Sequence, residues 1–286
     1  MCYIWFIKNL KLPQIHLFFF LIFGISITYG QIPTSYYSSA EGLSGTDMKD
    51  ALNDIIDGHV KFSYTSSNTD VWDILKETDK DTIDPSKVIL FYTGWTVDGA
   101  QEYNSGSGWT REHVWAKSRG DFGTTQGPGT DVHALRPCDV SVNSARNNRW
   151  FDFGEDEYIH SDGPTGCYKN SNTWSWEPRD EVKGDVARMI FYMATRYEGE
   201  NGELDLVVID SIPNDNNTNE PIHAKLSVLL QWHTNDPVDD WERNRNDVIY
   251  SYQENRNPFI DHPEFVNEIW GSVSSVENYS INKNLE

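Results

Sequence analysis

Basic residues and cysteines are scarce in this chain of 286 residues. It contains 23 Lys and Arg against 44 Asp and Glu, which gives a net charge of −21. A protein that binds nucleic acid over its whole surface is normally basic, so the charge balance excludes that class. Three cysteines are too few for a small disulfide-rich scaffold. The chain is long enough for one large domain or two small ones.

Long apolar runs are also missing, except near the amino terminus. Lys8 and Lys11 precede a mostly apolar run over residues 17–27, and no Asp or Glu occurs before Glu41. This layout predicts a secretory signal peptide over residues 1–30. A membrane anchor is the alternative, but the run is short of the roughly 20 residues that span a bilayer. We therefore expect a mature protein that is secreted, either extracellular or periplasmic, without stable membrane insertion.

Cysteine pairing stays open in the mature chain. Cys2 falls in the predicted signal peptide, which leaves Cys138 and Cys167. In an exported protein this pair predicts either one disulfide or two buried free thiols.

Positive charge is concentrated in one segment of an otherwise acidic chain. Residues 110–149 contain six Lys or Arg against four Asp or Glu, whereas the mature chain as a whole carries about −23. A polyanion is therefore expected to bind at this segment and at little else.

The pattern of apolar residues predicts one α+β domain over residues 31–271, followed by a polar tail over 272–286. Helices are predicted over 46–58, 140–148, 178–199, 222–233, 237–253 and 263–270. Strands are predicted over 88–93, 111–115 and 132–135, while 94–109 is a loop or hairpin and 204–209 is either strand or helix. Pro137 is expected to end the third strand, and Asp139 to cap the helix that follows.

Two clusters in the basic segment have the residue types of a metal-assisted hydrolase. Glu112 and the side-chain oxygen of Asn143 suit a hard cation such as Mg²⁺, which also keeps waters and a substrate phosphate. His113 suits a general base. In the predicted helix Asn143, Arg146 and Asn147 share a face. Adjacent strand residues point to opposite faces, however, so Glu112 and His113 share a site only if the backbone bends or the metal and the attacking water lie on different sides.

Several of these segments resemble one known family. REHVWAKS at 111–118 and GPGTDVHALRPCDVSVNSARNNRWFDFG at 127–154 are similar to the endonuclease I family of secreted, metal-dependent, sugar-nonspecific nucleases. Residues 177–193 and 236–265 also resemble it, so the similarity covers nearly all of the mature chain. The resemblance implies a ββα-metal (His-Me finger) core embedded in a largely helical single domain.

The family also implies a role for individual residues. Glu112 resembles its acidic metal ligand, Asn143 its amide ligand and His113 its general base. Arg136 and Arg146 are the candidates for the family's arginine that steadies the cleaved phosphate. By residue chemistry alone, Arg136, Arg146 and Arg149 could each bind phosphate oxygens through two hydrogen bonds. Disulfide-rich members have more cysteines than this chain, so their bridges are not transferred.

The implied reaction is hydrolysis of DNA, RNA or both, without marked sequence specificity. Neutral His113 takes a proton from water, which attacks phosphorus in line. One divalent cation, with Mg²⁺ favoured over Ca²⁺ or Mn²⁺, stabilises the charge that develops. The products would carry 5′-phosphate and 3′-hydroxyl ends. We expect nucleic acid as the partner and a monomeric protein.

Other residues have competing interpretations. Arg111, His133 and Asn147 are assigned to the surroundings of the site or to substrate binding, although His133 also suits a half-buried structural histidine. Trp115 and Trp150 are the tryptophans considered for base stacking, against an ordinary core role. The segment NRNPF at 255–259 is interpreted as a helix-ending turn.

Two functions of other classes remain as alternatives. Glu112, His113 and His133 could hold zinc in a hydrolase of another substrate, but HExxH is absent and adjacent Glu and His are poorly spaced for one zinc ion. The other alternative is an acidic exported binding protein without catalysis.

Overall fold

The structure is a computed structural model that describes residues 32–271. The predicted signal peptide and the predicted polar tail lie outside the described residues. No helix between residues 32 and 271 is long and apolar enough to cross a membrane.

Residues 32–271 form eight α-helices and ten short strands, which confirms the α+β class. The helices are α1 (Gly45–Ile56), α2 (Val71–Thr78), α3 (Val140–Arg146), α4 (Lys183–Arg196), α5 (Leu226–Asn235), α6 (Asp240–Gln253), α7 (Pro258–Asp261) and α8 (Phe265–Trp270). The strands are β1 (Lys87–Ile89), β2 (Thr96–Asp98), β3 (Trp109–His113), β4 (Leu135–Asp139), β5 (Trp150–Phe151), β6 (Asp156–His160), β7 (Gly163–Asn170), β8 (Ser175–Glu177), β9 (Val207–Ile209) and β10 (Ile222–Ala224).

The strands build four small sheets. β1 pairs with β2 and β3 with β4, both antiparallel, while β9 and β10 pair in parallel. The fourth sheet has the order β5-β8-β7-β6. Because no sheet is large, the helices supply most of the core. Residues 184–196 of α4 are all buried, and α1, α5 and α7 pack around this helix.

The β3–β4 pair and α3 form the expected ββα unit. Glu112 lies opposite Arg136 and His113 opposite Leu135 in a regular register. α3 begins directly after β4, and the Asp139 carboxylate accepts hydrogen bonds from the backbone N–H groups of Ser141 and Val142. The predicted cap is therefore confirmed, and it fixes the angle at which α3 leaves the strand.

The second strand of this unit differs from the prediction. Residues 132–134 form a 3₁₀ helix, and β4 begins at Leu135 and continues through Pro137. The prediction that Pro137 ends the strand was wrong. The sheet has only two strands, so β4 has a free edge on which a missing N–H is tolerated. The Pro137 carbonyl accepts a hydrogen bond from the backbone N–H of Phe91.

Other differences lie at element boundaries. The predicted strand over 88–93 is shortened to β1, and the 94–109 segment contributes β2 as its hairpin partner. The 204–209 run contains strand β9. The predicted helix over 222–233 was wrong at its start, because residues 222–224 form β10 and the helix begins at Leu226. Helix α2, with a capping box at Asp70, was missed.

Two hydrophobic clusters meet at β3. Trp109, its first residue, belongs to the smaller cluster around α2, whereas Val114 and Trp115, just beyond its end, belong to the large cluster around α4. Glu112 and His113 thus lie on a strand that is anchored at both ends by close packing.

Candidate active site

Glu112 is a buried carboxylate that is tethered through one oxygen. Its Oε1 accepts a hydrogen bond from the Tyr92 hydroxyl at 2.9 Å and lies 3.3 Å from Arg146 Nε in an ion pair. Its Oε2 has no hydrogen bond or ion pair with any residue in the described range. Burial raises the pKa of Glu112 to about 7, while the charge of Arg146 and the Tyr92 hydrogen bond oppose that rise. Because Oε2 has no partner in the described range, this oxygen is available to a cation.

Asn143 is held in a similar way. It lies on α3, and its Nδ2 group donates a hydrogen bond of 3.4 Å to the carbonyl of Arg111 on β3. The amide oxygen Oδ1 has no partner among residues 32–271. The contact brings the amide over the strand next to Glu112, with the oxygen left free to bind a hard cation.

His113 is a neutral imidazole whose tautomer is defined. Its Nε2 lies 3.0 Å from the carbonyl oxygen of Gly129. A carbonyl only accepts, so Nε2 carries the proton and Nδ1 is the acceptor. The ring stacks on Tyr64 with centroids 5.6 Å apart. Burial lowers the pKa of His113 to about 4, so the ring is unprotonated at neutral pH.

The two adjacent side chains diverge rather than converge. Glu112 contacts Tyr92 and Arg146, whereas His113 contacts Tyr64 and Gly129. The β3–β4 register is regular up to His113, so no bend turns both side chains to one face. The geometry matches the alternative in which the cation and the attacking water lie on different sides of the strand end.

Arg136 is not placed to contact a substrate phosphate, contrary to the sequence prediction. Its Nε donates to Asp79 at 2.7 Å and its Nη1 to Asp185 at 3.1 Å. The side chain is buried, with the guanidinium over the ring of Phe91. A buried cation between two carboxylates is a structural ion pair, because removing it from them would leave charges unpaired.

Arg146 also has a structural role, although it belongs to the site. It is fully buried and donates to the carbonyls of His113 at 3.2 Å and Val114 at 2.5 Å, in addition to its ion pair with Glu112. Asn143 and Arg146 thus both face β3, as their spacing predicts. Asn147 does not: it is exposed, ends α3 with φ of 54°, and its Oδ1 accepts from the N–H of Asn148.

The side chains of the remaining predicted residues are held by partners other than Glu112, His113 and Asn143. The guanidinium of Arg111 stacks against Tyr64 and Trp72 and donates to the Tyr64 carbonyl. His133 is fully buried, with Nε2 3.3 Å from the Asn255 carbonyl and its ring against Tyr192. These contacts match the structural interpretation of His133.

The structure distinguishes between the competing interpretations of the two tryptophans, the 255–259 segment and the two cysteines. Trp115 and Trp150 lie in the interior, where they cannot stack on a base. Arg256 pairs with Asp261, as expected of a structural turn. Cys138 and Cys167 are both buried free thiols, so the disulfide alternative is not what the structure shows.

Zinc ligation has little support in the described part of the chain. Residues 32–271 contain no group of three or more His, Cys, Asp or Glu that could hold a metal ion. His133 contacts Asn255 and Tyr192 rather than Glu112 or His113. The free oxygens of Glu112 and Asn143 instead suit Mg²⁺ or a similar hard cation.

Three residues that organise the site were not predicted from the sequence. Tyr92 ends an apolar run and was assigned only to a buried strand, although a buried tyrosine hydroxyl normally needs a partner. Tyr64 supports both Arg111 and His113, and Gly129 supplies the carbonyl that fixes the imidazole. No local pattern marks Tyr64 or Gly129, because both reach the site only through the fold.

The chain is similar in sequence to several known proteins. Residues 44–264 match the family model described as Endonuclease I. The chain is 54% identical over 239 residues to the extracellular ribonuclease of Bacillus subtilis strain 168, covering 82% of this chain and 78% of that protein. It is 54% identical over 237 residues to the extracellular ribonuclease of Bacillus amyloliquefaciens, with the same coverage. Identity to the endonuclease-1 of Buchnera aphidicola subsp. Baizongia pistaciae is 26% over 137 residues, 46% of each chain.

Proposed function

Because the chain belongs to the endonuclease I family and is therefore a nuclease, we propose that it is a secreted, metal-dependent enzyme that hydrolyses RNA and DNA without marked sequence specificity. One observation carries the proposal. Glu112, His113 and Asn143 are each fixed through one polar atom, and in each case the atom needed for chemistry has no partner within residues 32–271.

Glu112 and Asn143 are the residues that would hold the cation. Both offer an oxygen, and the two lie on neighbouring elements joined by the bond from Asn143 to the Arg111 carbonyl. Two protein ligands leave positions for water and a substrate phosphate, which is typical of Mg²⁺; Ca²⁺ and Mn²⁺ accept the same donors. When bound, the cation supplies positive charge that stabilises the phosphate and the leaving oxygen as charge develops.

His113 performs the proton transfer in this proposal. Its free Nδ1 accepts a proton from water, and the water oxygen attacks phosphorus as the bond to the leaving 3′ oxygen breaks. The imidazolium that forms keeps its Nε2–H on the Gly129 carbonyl, which stabilises the added charge. The products carry a 5′-phosphate and a 3′-hydroxyl. Since water is the nucleophile, the ribose 2′-hydroxyl is not needed and DNA is a substrate as well as RNA.

The relatives support the choice of substrate and location. Two proteins that are 54% identical to this chain are named extracellular ribonucleases. Residues 1–30 have the layout of a signal peptide, which agrees with export.

The test is cleavage of plasmid DNA and structured RNA by the mature protein, with Mg²⁺ and with EDTA, beside His113→Ala. We expect both substrates to be cut with Mg²⁺, and neither with EDTA. We expect the folded variant to lose at least about a hundredfold in rate, as for removal of a general base. His262→Ala, at a more exposed histidine, serves as the matched control.

Three results would contradict the proposal. Full activity in EDTA would show that no cation is required. Full activity of His113→Ala would show that His113 is not the general base. Binding of nucleic acid without cleavage under any divalent ion would favour the binding-protein alternative. Zinc that is retained through purification and required for activity would favour the zinc hydrolase.

A further inference from the structure

The proposed site needs a cation that can reach the substrate phosphate, and most basic residues nearby are already engaged. Within residues 110–149 the basic side chains are Arg111, Lys117, Arg119, Arg136, Arg146 and Arg149. Arg111 lies between two aromatic rings, and Arg136 and Arg146 form buried ion pairs. None of these three guanidinium groups is free to bind a phosphate.

Arg119 and Arg149 are also engaged. Arg119 is fully buried, lies over the ring of Trp150 and donates to the Asn148 carbonyl at 3.0 and 2.6 Å. Arg149 stacks on Trp174 and donates to the carbonyls of Ala145 and Asn170 at 3.1 and 3.2 Å. The five arginines of the segment therefore act as structural cations.

Lys117 is different. Its side chain is exposed, and no carboxylate, carbonyl or aromatic ring in the described chain contacts its ammonium group. In an acidic protein, an unpaired lysine four residues after the Glu-His pair is available to an anionic ligand.

The backbone below Lys117 is well fixed. The N–H of Arg119 donates to the Ala116 carbonyl at 2.8 Å, and the N–H of Phe122 donates to the Lys117 carbonyl at 3.2 Å. The Trp115 indole N–H donates to the Arg119 carbonyl at 2.9 Å. This turn follows β3 directly, so a rigid base presents a flexible, charged side chain four residues beyond His113.

Lys117 also lies within electrostatic reach of the imidazole. Burial is the main cause of the lowered pKa of His113, and the hydrogen bond that His113 donates to the Gly129 carbonyl opposes it. Among the cations that lower this pKa further, Lys117 has a larger effect than Arg111 or Arg146. The fixed turn carries the Lys117 side chain out from the end of β3, the strand that holds Glu112 and His113.

We infer that Lys117 contacts the phosphate that is being cleaved, donating to a non-bridging oxygen in the role for which an arginine was expected. The inference rests on the proposed nuclease function. A lysine serves here as a mobile point charge, whereas an arginine would bind in a fixed bidentate geometry. Its charge offsets the extra negative charge that the phosphate gains in the transition state.

The experiment compares Lys117→Gln and Lys117→Arg with wild type and with Lys80→Ala, using Mg²⁺ and short single-stranded RNA and DNA. Lys80 is an exposed lysine outside the site and serves as the matched control. We expect Lys117→Gln to lower kcat at least about tenfold on both substrates, the lower range for loss of one transition-state donor. Lys117→Arg should stay within about threefold of wild type, because the charge is kept.

Each outcome decides one question. If wild type and Lys80→Ala cut while Lys117→Gln stays within twofold of them, the inference fails and the nuclease function stands. If Lys117→Gln raises KM and leaves kcat unchanged, Lys117 binds a distant phosphate and the assignment is overturned. If wild type itself cuts neither substrate, the proposed function fails, and the inference fails with it.

Discussion

Tyr92 shows how one buried hydroxyl controls a neighbouring carboxylate. Its O–H group donates to Glu112 Oε1, beside the ion pair with Arg146. With Oε1 occupied, Glu112 has a single oxygen, Oε2, without a partner among the described residues. A partner that orients a metal ligand in this way typically changes metal affinity by about 10- to 100-fold when it is removed.

We therefore expect Tyr92→Phe to raise the Mg²⁺ concentration for half-maximal activity by about tenfold. The cause is a carboxylate that has lost its orienting donor while Arg146 remains. The measurement is a Mg²⁺ titration of the cleavage rate. Tyr168→Phe is the control, since this tyrosine is exposed and lies on β7. An unchanged Mg²⁺ requirement in Tyr92→Phe would show that the hydroxyl does not orient the ligand.

At the scale of elements, α3 links the strand pair to the amide ligand. The helix has only seven residues, so its own hydrogen bonds stabilise it weakly. Asp139 accepts two backbone N–H groups at its start, and Arg146 ties its end to β3. The position of Asn143 is set between these two anchors.

Asp139→Ala is expected to lower the free energy of unfolding by about 1 kcal/mol, the usual effect of losing an N-cap. It should also weaken Mg²⁺-supported activity, because the first turn of α3 frays next to Asn143. Asp139→Asn keeps the capping oxygen and should stay near wild type in both respects. Urea unfolding and a Mg²⁺ titration measure the two effects. Equal losses in both variants would mean that the charge of Asp139, not its cap, matters.

At the scale of the whole molecule, buried ion pairs join elements that are distant in sequence. Arg136 on β4 bridges Asp79, which follows α2, and Asp185 on α4. Arg245 on α6 also pairs with Asp79. These contacts join the small hydrophobic cluster around α2 to the large one around α4.

Arg136→Met should lower the free energy of unfolding by about 3 kcal/mol, because Asp185 loses its closest cation and Asp79 keeps only Arg245. The folded fraction should still cleave within about threefold of wild type, since Arg136 does not contact substrate. Arg243→Met, at an exposed position on α6, should change stability by less than about 0.5 kcal/mol. A large loss of kcat in fully folded Arg136→Met would restore the catalytic interpretation.

Acid should destabilise the fold through its buried histidines. Burial lowers the pKa of both His133 and His233 to about 4. The unfolded chain binds these protons near pH 6.5, so stability is fully present above that pH and falls as pH drops towards 4. Each histidine should remove about 2 kcal/mol at pH 5 relative to neutral pH.

Urea unfolding at pH 7.5 and 5.0 measures this effect. His233→Gln keeps an N–H donor for the Pro263 carbonyl but does not titrate, so its loss of stability between the two pH values should be about 2 kcal/mol smaller than in wild type. Thr234→Ala, on the exposed side of α5, should keep the wild-type difference. If His233→Gln lost as much stability between pH 7.5 and 5.0 as wild type does, His233 would not be the titrating group.

Local patterns in the sequence determined the elements and the residue types of the site. Apolar spacing predicted α1, α4 and α6 to within a few residues, and Asp139 marked the start of α3. Glu112, His113 and Asn143 were identified from their residue types together with the resemblance of the segments around them to the endonuclease I family. These signals depend on neighbours within one or two turns, which a sequence displays directly.

The tertiary structure decided which of the candidate side chains are free. In the sequence, Arg136 and Arg146 look like phosphate-binding arginines because they lie in the basic segment. In the fold, Asp79, Asp185 and Glu112 from other elements form ion pairs with them. Burial and ion pairing depend on contacts between distant segments, so no local pattern predicts them. For the same reason, the hydroxyl of Tyr92 and the carbonyl of Gly129 are assigned to the site only once the chain is folded.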